Sequence, residues 1–521
     1  MHGVIANEFA IAKKKTNTIV YLVAAFFSII LAIWAAAKTS IINPDAICYL
    51  QSAATMSDGL SAATHVCNQA NWPFYSMCIY ALSQMTHLSY LSAANCLDGF
   101  FSLISVITFI AIVRTLTTSA RIVGLAAVVI LLAHDFNEIR VDVIRDHGYW
   151  AFYLLSLFFF LRFFQRYRFH TAILWSVTLI AATMFRIEGA IFLLLLPMAV
   201  LFDVRNHLSV RVKAFFQLNA LPIFATLGVI TWLIVNPLQQ LGRLSEVQYQ
   251  LVHGIGELVK RFTMAKDALA LHVLSPFALH EAPIILVVML IGWYVVNVIS
   301  NLSIGYAGLV IYGWWKKTAK WNFETRLVMG SYIFVNVFIT AIFLVDNLFL
   351  AKRYLIGLSL VLMLWVPFAC ESLLTQWKSR KWPVLLAAIF MLTYGLGGIV
   401  DFGYSKKYIR DAGDWLAVNT ALDAKIYSND YQLLYYANHL GNDIFSKGHE
   451  YEKLKAIDEG RWKQFDYLAL RSRKKNSVND ESILKQITWA PIKVFENTHG
   501  DQVRVYQVKT KVKVKMNGGS L

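Results

Sequence analysis

The chain has 521 residues, of which 57% are hydrophobic and 15% charged, with a formal net charge of +16 and a mean hydropathy of +0.51. That composition excludes a soluble globular protein and predicts a polytopic α-helical membrane protein. The positive residues are spread between apolar runs and form no single basic face with interleaved aromatics, so nucleic acid is not an expected partner and membrane lipids are.

Residues 19–37 are the first apolar run, close to the roughly 20 residues that cross a bilayer core. Lys13, Lys14 and Lys15 precede it on the side expected to be cytoplasmic. Further apolar runs keep following, so it reads as an uncleaved first span and not a signal peptide. The outer segment at about 38–90 carries Asp45, Asp58 and His65, with a helix predicted over 74–85. A Cys48–Cys67 disulfide stays open, and none of the five cysteines has zinc-ligand spacing.

Span two, at about 91–113, returns to Arg114 and Arg121, and span three, at 122–133, leads into an acidic segment at 135–148. This segment holds Asp135, Glu138, Asp142 and Asp146 with Arg140, Arg145 and His147, a costly set of charges between two apolar spans. If the loop is helical, the spacing of four puts Asp142 and Asp146 on one face. Span four (149–164) ends at Arg162, Arg166 and Arg168, and the short spans five and six (172–185 and 189–202) are joined by the outer turn Arg186-Ile187-Glu188-Gly189. Arg205, Arg211 and Lys213 mark the next cytoplasmic edge, after which span seven (215–235) leads to a mixed outer loop at about 236–282.

The run 283–315 has the length of one span or two short ones; counting it once keeps Lys316, Lys317 and Lys320 inside. Spans nine to eleven cover about 327–345, 354–374 and 384–400, with Lys352-Arg353-Tyr354 at the head of span ten. The expectation is about eleven spans in a bacterial inner membrane, N-terminus cytoplasmic. Residues 1–400 form the membrane module, with outer loops at about 38–90, 135–148 and 236–282. Residues 401–521 form a small periplasmic α/β domain, with helices over 408–420 and 431–440, strands at 425–428 and 466–470, and strand-like alternation over 503–515.

Four groups fall on the outer face in this topology: Asp45 with its neighbours, the Asp142/Arg145/Asp146/His147 loop, the Arg186–Glu188 turn, and Lys352-Arg353-Tyr354. A carboxylate that takes the proton of an attacking hydroxyl, beside arginines or a metal that neutralise an anionic leaving group, serves both ends of a displacement. Outside the cytoplasm an activated group has to arrive on a lipid phosphate, so a polyprenyl-phosphate sugar is the natural donor. Each group also has a plain structural reading. Asp45 suits a helix N-terminus, Asp142 and Asp146 suit pairing with Arg140 and Arg145, Arg186 and Glu188 suit a local ion pair, and Arg353 suits an interfacial snorkelling residue.

The Asp after the first span, the acidic second outer loop, the short helix pair with its Arg-x-Glu-Gly turn, the Arg-Tyr before a late span and the outer α/β domain together resemble the GT-C glycosyltransferase superfamily. The resemblance is to its bacterial branch related to protein O-mannosyltransferases and the lipid A aminoarabinose transferase. It implies transfer of a sugar, with inversion, from a polyprenyl-phosphate donor to a lipid, glycan or protein acceptor. It implies Asp45 as catalytic base, with Asp146 or Asp142 as the second-loop acidic residue. Arg186, Glu188, Arg353, Arg145 and Tyr354 would hold the donor phosphate and sugar. A divalent metal stays open, with Asp146 and His147 as candidate ligands. The Trp-Trp-Asp type signature of oligosaccharyltransferases is missing from this sequence, which argues against block transfer of an oligosaccharide. The rival is a transporter or flippase of a lipid-linked or anionic substrate, which predicts mid-span charges and matching halves; here the charges gather at the outer ends.

Overall fold

The computed structural model describes residues 2–235, 242–377, 381–400, 402–421, 423–438, 461–474 and 487–508. The chain divides into two compact units: Met1–Ala37 with Met77–Asp401, and Lys38–Ser76 with Phe402–Leu521. The first outer segment therefore groups with the C-terminal segment, whereas the sequence analysis places 38–90 in the membrane module.

The helices follow in order. α1 is His2–Lys38, α2 Pro44–Ala54, α3 Leu60–Thr64, α4 Phe74–Thr86, α5 Tyr90–Leu116, α6 Ala120–Leu131, α7 His134–Glu138, α8 Asp146–Arg166, α9 Phe169–Phe185 and α10 Gly189–Leu195. Then come α11 Leu208–Val235, α12 Gly242–His272, α13 Ala282–Trp315, α14 Phe323–Asn347, α15 Lys352–Leu362, α16 Val366–Thr375 and α17 Lys381–Ile399. Among the described residues six elements are long and apolar enough to cross a membrane, or seven if the bent pair Ala120–Leu131 and His134–Val141 is one span. The chain is an integral membrane protein. Of the eleven expected spans, α8, α9, the α10 segment and α11 do not reach that threshold among the described residues. The run from 283 to 315 lies in one element, α13, interrupted by non-helical backbone at Ser303. The mixed outer loop is largely helical as α12, which low overall hydropathy had hidden.

Local chemistry starts several of these helices. The Ser89 hydroxyl accepts from Ser92 N (3.2 Å) ahead of α5, and Asn322 Oδ1 accepts from Thr325 N (3.2 Å) ahead of α14, each satisfying one orphan donor of the first turn. α6 stops at Leu131, and the chain bends by 53° into α7. Asn137 Nδ2 donates to Leu131 O (2.7 Å), so a side chain beyond the bend caps the broken end.

In the second unit α18 (Lys407–Asn419), β1 (Ile426–Ser428), α19 (Tyr431–Tyr436), β2 (Tyr467–Ser472), β3 (Lys493–Glu496) and β4 (Gln502–Gln507) build a sheet of order β1-β2-β4-β3. β1 runs parallel to β2, with Ile426 opposite Tyr467, and the remaining pairs are antiparallel. Ile409, Ala412 and Leu416 of α18 meet Leu433 of α19 and Ala469, Val503 and Val505 of the sheet in one core. The predicted helices and strands here are present in their described parts; β3 was not foreseen, and 509–515 lie outside the described residues. Ile42, just before α2, joins this unit through its backbone. Its N–H donates to Tyr436 Oη (3.0 Å) and its carbonyl accepts from Gln432 Nε2 (2.5 Å).

The disulfide left open by the sequence is formed: Cys48 and Cys67 are bridged, Cα atoms 5.9 Å apart, and both are buried beside Ala70. A double variant, Cys48→Ala with Cys67→Ala, is expected to lose about 2–4 kcal/mol of stability in this unit. The expected signs are a lower thermal midpoint and faster proteolysis within 38–76. Unchanged values for both would mean that the bridge adds nothing to the fold.

Candidate active site

Asp142 and Asp146 do not share a helical face. After α7 a single 3-10 turn, Ile139–Val141, ends at Asp142 in extended backbone (φ −89°, ψ 129°), and α8 begins only at Asp146. The two carboxylates therefore leave different backbone geometries. Asp146 sits in the first turn of α8, where a helix N-terminus favours negative charge. His147 is buried, and its Nε2 donates to the carbonyl oxygen of Asp142 (3.1 Å). That bond fixes the tautomer and leaves Nδ1 with no partner among the described residues.

The buried Asp146 accepts from Arg186 Nη1 across 40 residues of sequence. Arg186 ends α9 in extended backbone (φ −142°, ψ 126°), and Glu188 immediately precedes α10. Within that turn Arg186 also donates to both Glu188 oxygens, through Nη2 and through Nε at 3.3 Å. The guanidinium lies 4.4 Å from the Tyr354 ring centroid and 5.7 Å from that of Tyr149, within cation–π range. The close approach of α8 to the end of α9 needs Gly148, where a Cβ would come 2.5 Å from the Phe185 ring.

These residues open onto a cavity of about 230 Å³ in the first unit. Tyr149, Arg186, Glu188, Asp346, Arg353 and Tyr354 form its ionic and aromatic wall, and Ile191, Phe192, Leu258, Ile339, Ile342 and Phe343 its apolar one. Of the residues singled out from sequence, Asp146, Arg186, Glu188, Arg353 and Tyr354 are thus gathered at one place. Arg145 adds a positive charge that helps hold Glu188 ionised. Asp142, Arg145 and Asp146 are not among the lining residues, and Asp146 reaches the cavity only through its bond to Arg186. Asp45 belongs to the second unit, in the first turn of α2, where it accepts from Gln69 Nε2 (3.4 Å).

Sequence reasoning missed the support behind Arg353 and Tyr354. Lys352, the first residue of α15, bonds Glu138 (3.0 Å) and Asp135 (3.5 Å) of α7. Asp135 is buried and also accepts from Asn301 Nδ2 (2.7 Å), which donates in turn to Lys352 O (3.0 Å). The start of α15 is therefore tied to the broken end of span three. Asn336 and Gly357 were missed as well. The usable signal was a polar residue inside an apolar span.

At the candidate metal pair Asp146 and His147, Arg186 holds one Asp146 oxygen and the Asp142 carbonyl holds Nε2 of the imidazole, which leaves His147 Nδ1 without a partner among the described residues. His134, Asp135 and Glu138 do bring ligand atoms within 4.8 Å of one another. Lys352 already supplies the cation for that set.

No family model matches the chain, and no curated protein matches it in sequence. Solved structures do. ArnT from Cupriavidus metallidurans in the apo state is similar at a TM-score of 0.53 and 11% identity, covering 97% of this chain and 99% of that one. The same protein bound to undecaprenyl phosphate gives 0.53 and 12%, over 96% and 98%. The archaeal oligosaccharyltransferase AglB from Archaeoglobus fulgidus, in complex with an inhibitory peptide and a dolichol-phosphate, gives 0.52 and 11%, over 88% and 70%. The chain has the GT-C fold. The cavity and its ion triad are built entirely from elements of the first unit.

Burial would raise the Glu188 carboxyl, but Arg186 beside it overrides that and holds it down at about 2. The ion-pair contribution is thus present above the ordinary value of 4.5 and is lost only as pH falls through about 2. Infrared difference spectra of wild type against Glu188→Gln should show an ionised carboxylate down to pH about 3. In Arg186→Met burial dominates, and the group should titrate above 4.5. Protonation near 4.5 in both proteins would remove the coupling.

Proposed function

We propose that this protein is a lipid-dependent glycosyltransferase, moving one sugar with inversion from a polyprenyl-phosphate donor to an acceptor on the extracytoplasmic side. The observation that carries the reading is the Arg186 guanidinium, fixed between two carboxylates at the wall of a cavity that also presents Arg353 and an apolar side. A lipid phosphate carrying an uncharged group with apolar faces, such as a sugar ring, matches that combination. The GT-C fold agrees with it, and relatives in that fold are known in complexes with undecaprenyl phosphate and dolichol-phosphate.

The chemistry follows from charge. An acceptor hydroxyl attacks the anomeric carbon as the bond to the phosphate oxygen breaks, and the lipid phosphate leaves with the electron pair. Arg186 and Arg353 stabilise that developing charge, a contribution of order 10²–10³ in rate for each well-placed donor. Asp45, on the first turn of α2, is the base in this reading and takes the hydroxyl proton. Asp146 is already engaged by Arg186, so its part is to orient the guanidinium. Glu188 does the same from the other side, while Arg145 and Tyr354 complete the surroundings of the phosphate. The Cys48–Cys67 bridge supports an outward location for the second unit, since disulfides persist in oxidising compartments.

Purified protein in nanodiscs, supplied with undecaprenyl-phosphate sugars and scored for sugar release or transfer, tests this. Asp45→Asn is expected to lose about 10²–10⁴ in rate with lipid binding intact. Arg353→Ala is expected to weaken binding of the lipid phosphate. Asp146→Asn should lower both rate and stability, because a buried Arg186 loses a charged partner. Full turnover in Asp45→Asn would eliminate it as the base, and directional movement of lipid with no sugar release would favour the transporter.

A further inference from the structure

The cavity has a second polar end that the ion triad does not explain. Asp346, Phe343, Thr340, Ile339 and Asn336 of α14 all line it, a run of about 15 Å along the helix. Asp346 stands at one end of that run and the buried Asn336 at the other, with Thr340 the only other polar side chain of α14 among the lining residues.

The orientation of that amide is determined by its neighbours. One Nδ2 hydrogen goes to the carbonyl oxygen of Tyr332 (2.7 Å), which can only accept, and the other to Tyr153 Oη (2.7 Å). Oδ1 therefore points the other way. It has no donor among the described residues, and it is the atom that a Cβ on Gly357 would meet, at 3.1 Å. Gly357 lines the same cavity. The missing side chain leaves room directly beside an unused acceptor.

This geometry selects the occupant. A hydrocarbon tail pressed against Oδ1 would bury an unsatisfied carbonyl, whereas a sugar hydroxyl would donate to it. The flat C–H faces of a sugar ring suit Phe192 and Ile339 on the adjacent walls. A volume of about 230 Å³ is below the roughly 300–1,000 Å³ of clefts for larger ligands, and it suits one ring. We propose that the Asn336 end of the cavity is a sugar subsite, in which one neutral sugar ring donates a hydroxyl hydrogen to Asn336 Oδ1 and Gly357 provides the space. The proposal rests on the lipid-donor reading above and adds where the sugar sits and what recognises it.

The test compares two ligands in nanodiscs: bare undecaprenyl phosphate, and a panel of undecaprenyl-phosphate pentose, hexose and N-acetylhexosamine. Wild type is expected to bind at least one glycosylated lipid more tightly than the bare one, by about 5- to 150-fold. Asn336→Leu and Gly357→Ala should each erase that gain and leave bare-lipid affinity unchanged. Asn336→Leu removes the acceptor and Gly357→Ala narrows the space beside it, so a folding defect in one variant leaves the other to report. No gain for any sugar in wild type, or a gain retained in a folded variant, overturns the subsite while the donor reading stands. Equal loss of both ligands in the folded variants assigns this end to the tail and also overturns it. No binding of either lipid to wild type overturns the donor reading and the subsite together.

Discussion

A buried guanidinium needs carboxylates around it, and much of the first unit is arranged to supply them. Arg186 is fixed by Asp146 from the start of α8 and by Glu188 from the turn before α10. Removing Arg186 would leave the buried Asp146 carboxylate uncompensated, a loss of about 3–5 kcal/mol. The register of α8 against α9 is consequently under electrostatic as well as packing control. Gly148 permits the close contact with Phe185, and the aromatic faces of Tyr149 and Tyr354 enclose the charge. An arginine held this way is preorganised: it presents direction and charge to the cavity without rearranging.

The α15 part of the same wall depends on a different set of contacts. Asp135 and Glu138, at the break after α6, grip Lys352, and Asn301 adds a neutral link to the same backbone. The break is thus useful in itself. It turns backbone and carboxylates toward α15, whose next two residues are Arg353 and Tyr354. Two cationic groups on separate helices are set by two separate carboxylate pairs.

The sequence made the membrane class, most helices and the members of the ion triad legible, because hydropathy and charge within apolar surroundings are strong local signals. It failed where geometry depended on the bend. Asp142 and Asp146 have helical spacing, but Asp142 is in extended backbone and only Asp146 is helical. α12 was read as a loop because its mixture of polar and apolar residues lowers the average, although the helix is continuous. Strand β3 is four residues long and mostly exposed, so it has little alternation to detect. Asn336 and Gly357 come together from different helices, a juxtaposition that no spacing rule contains.

The second unit is discontinuous in the sequence, and its early part cannot reach its partners until synthesis is nearly over. Ile42 bonds Tyr436 and Gln432 from α19, about 390 positions later. During that interval the α2 segment would expose Ile42 without these two partners. The Cys48–Cys67 bridge closes a short loop of 19 positions within this segment and can form before the rest of the chain has been made. The covalent link therefore acts as a placeholder, holding the first loop compact during insertion of the later helices until α19 arrives to bond Ile42.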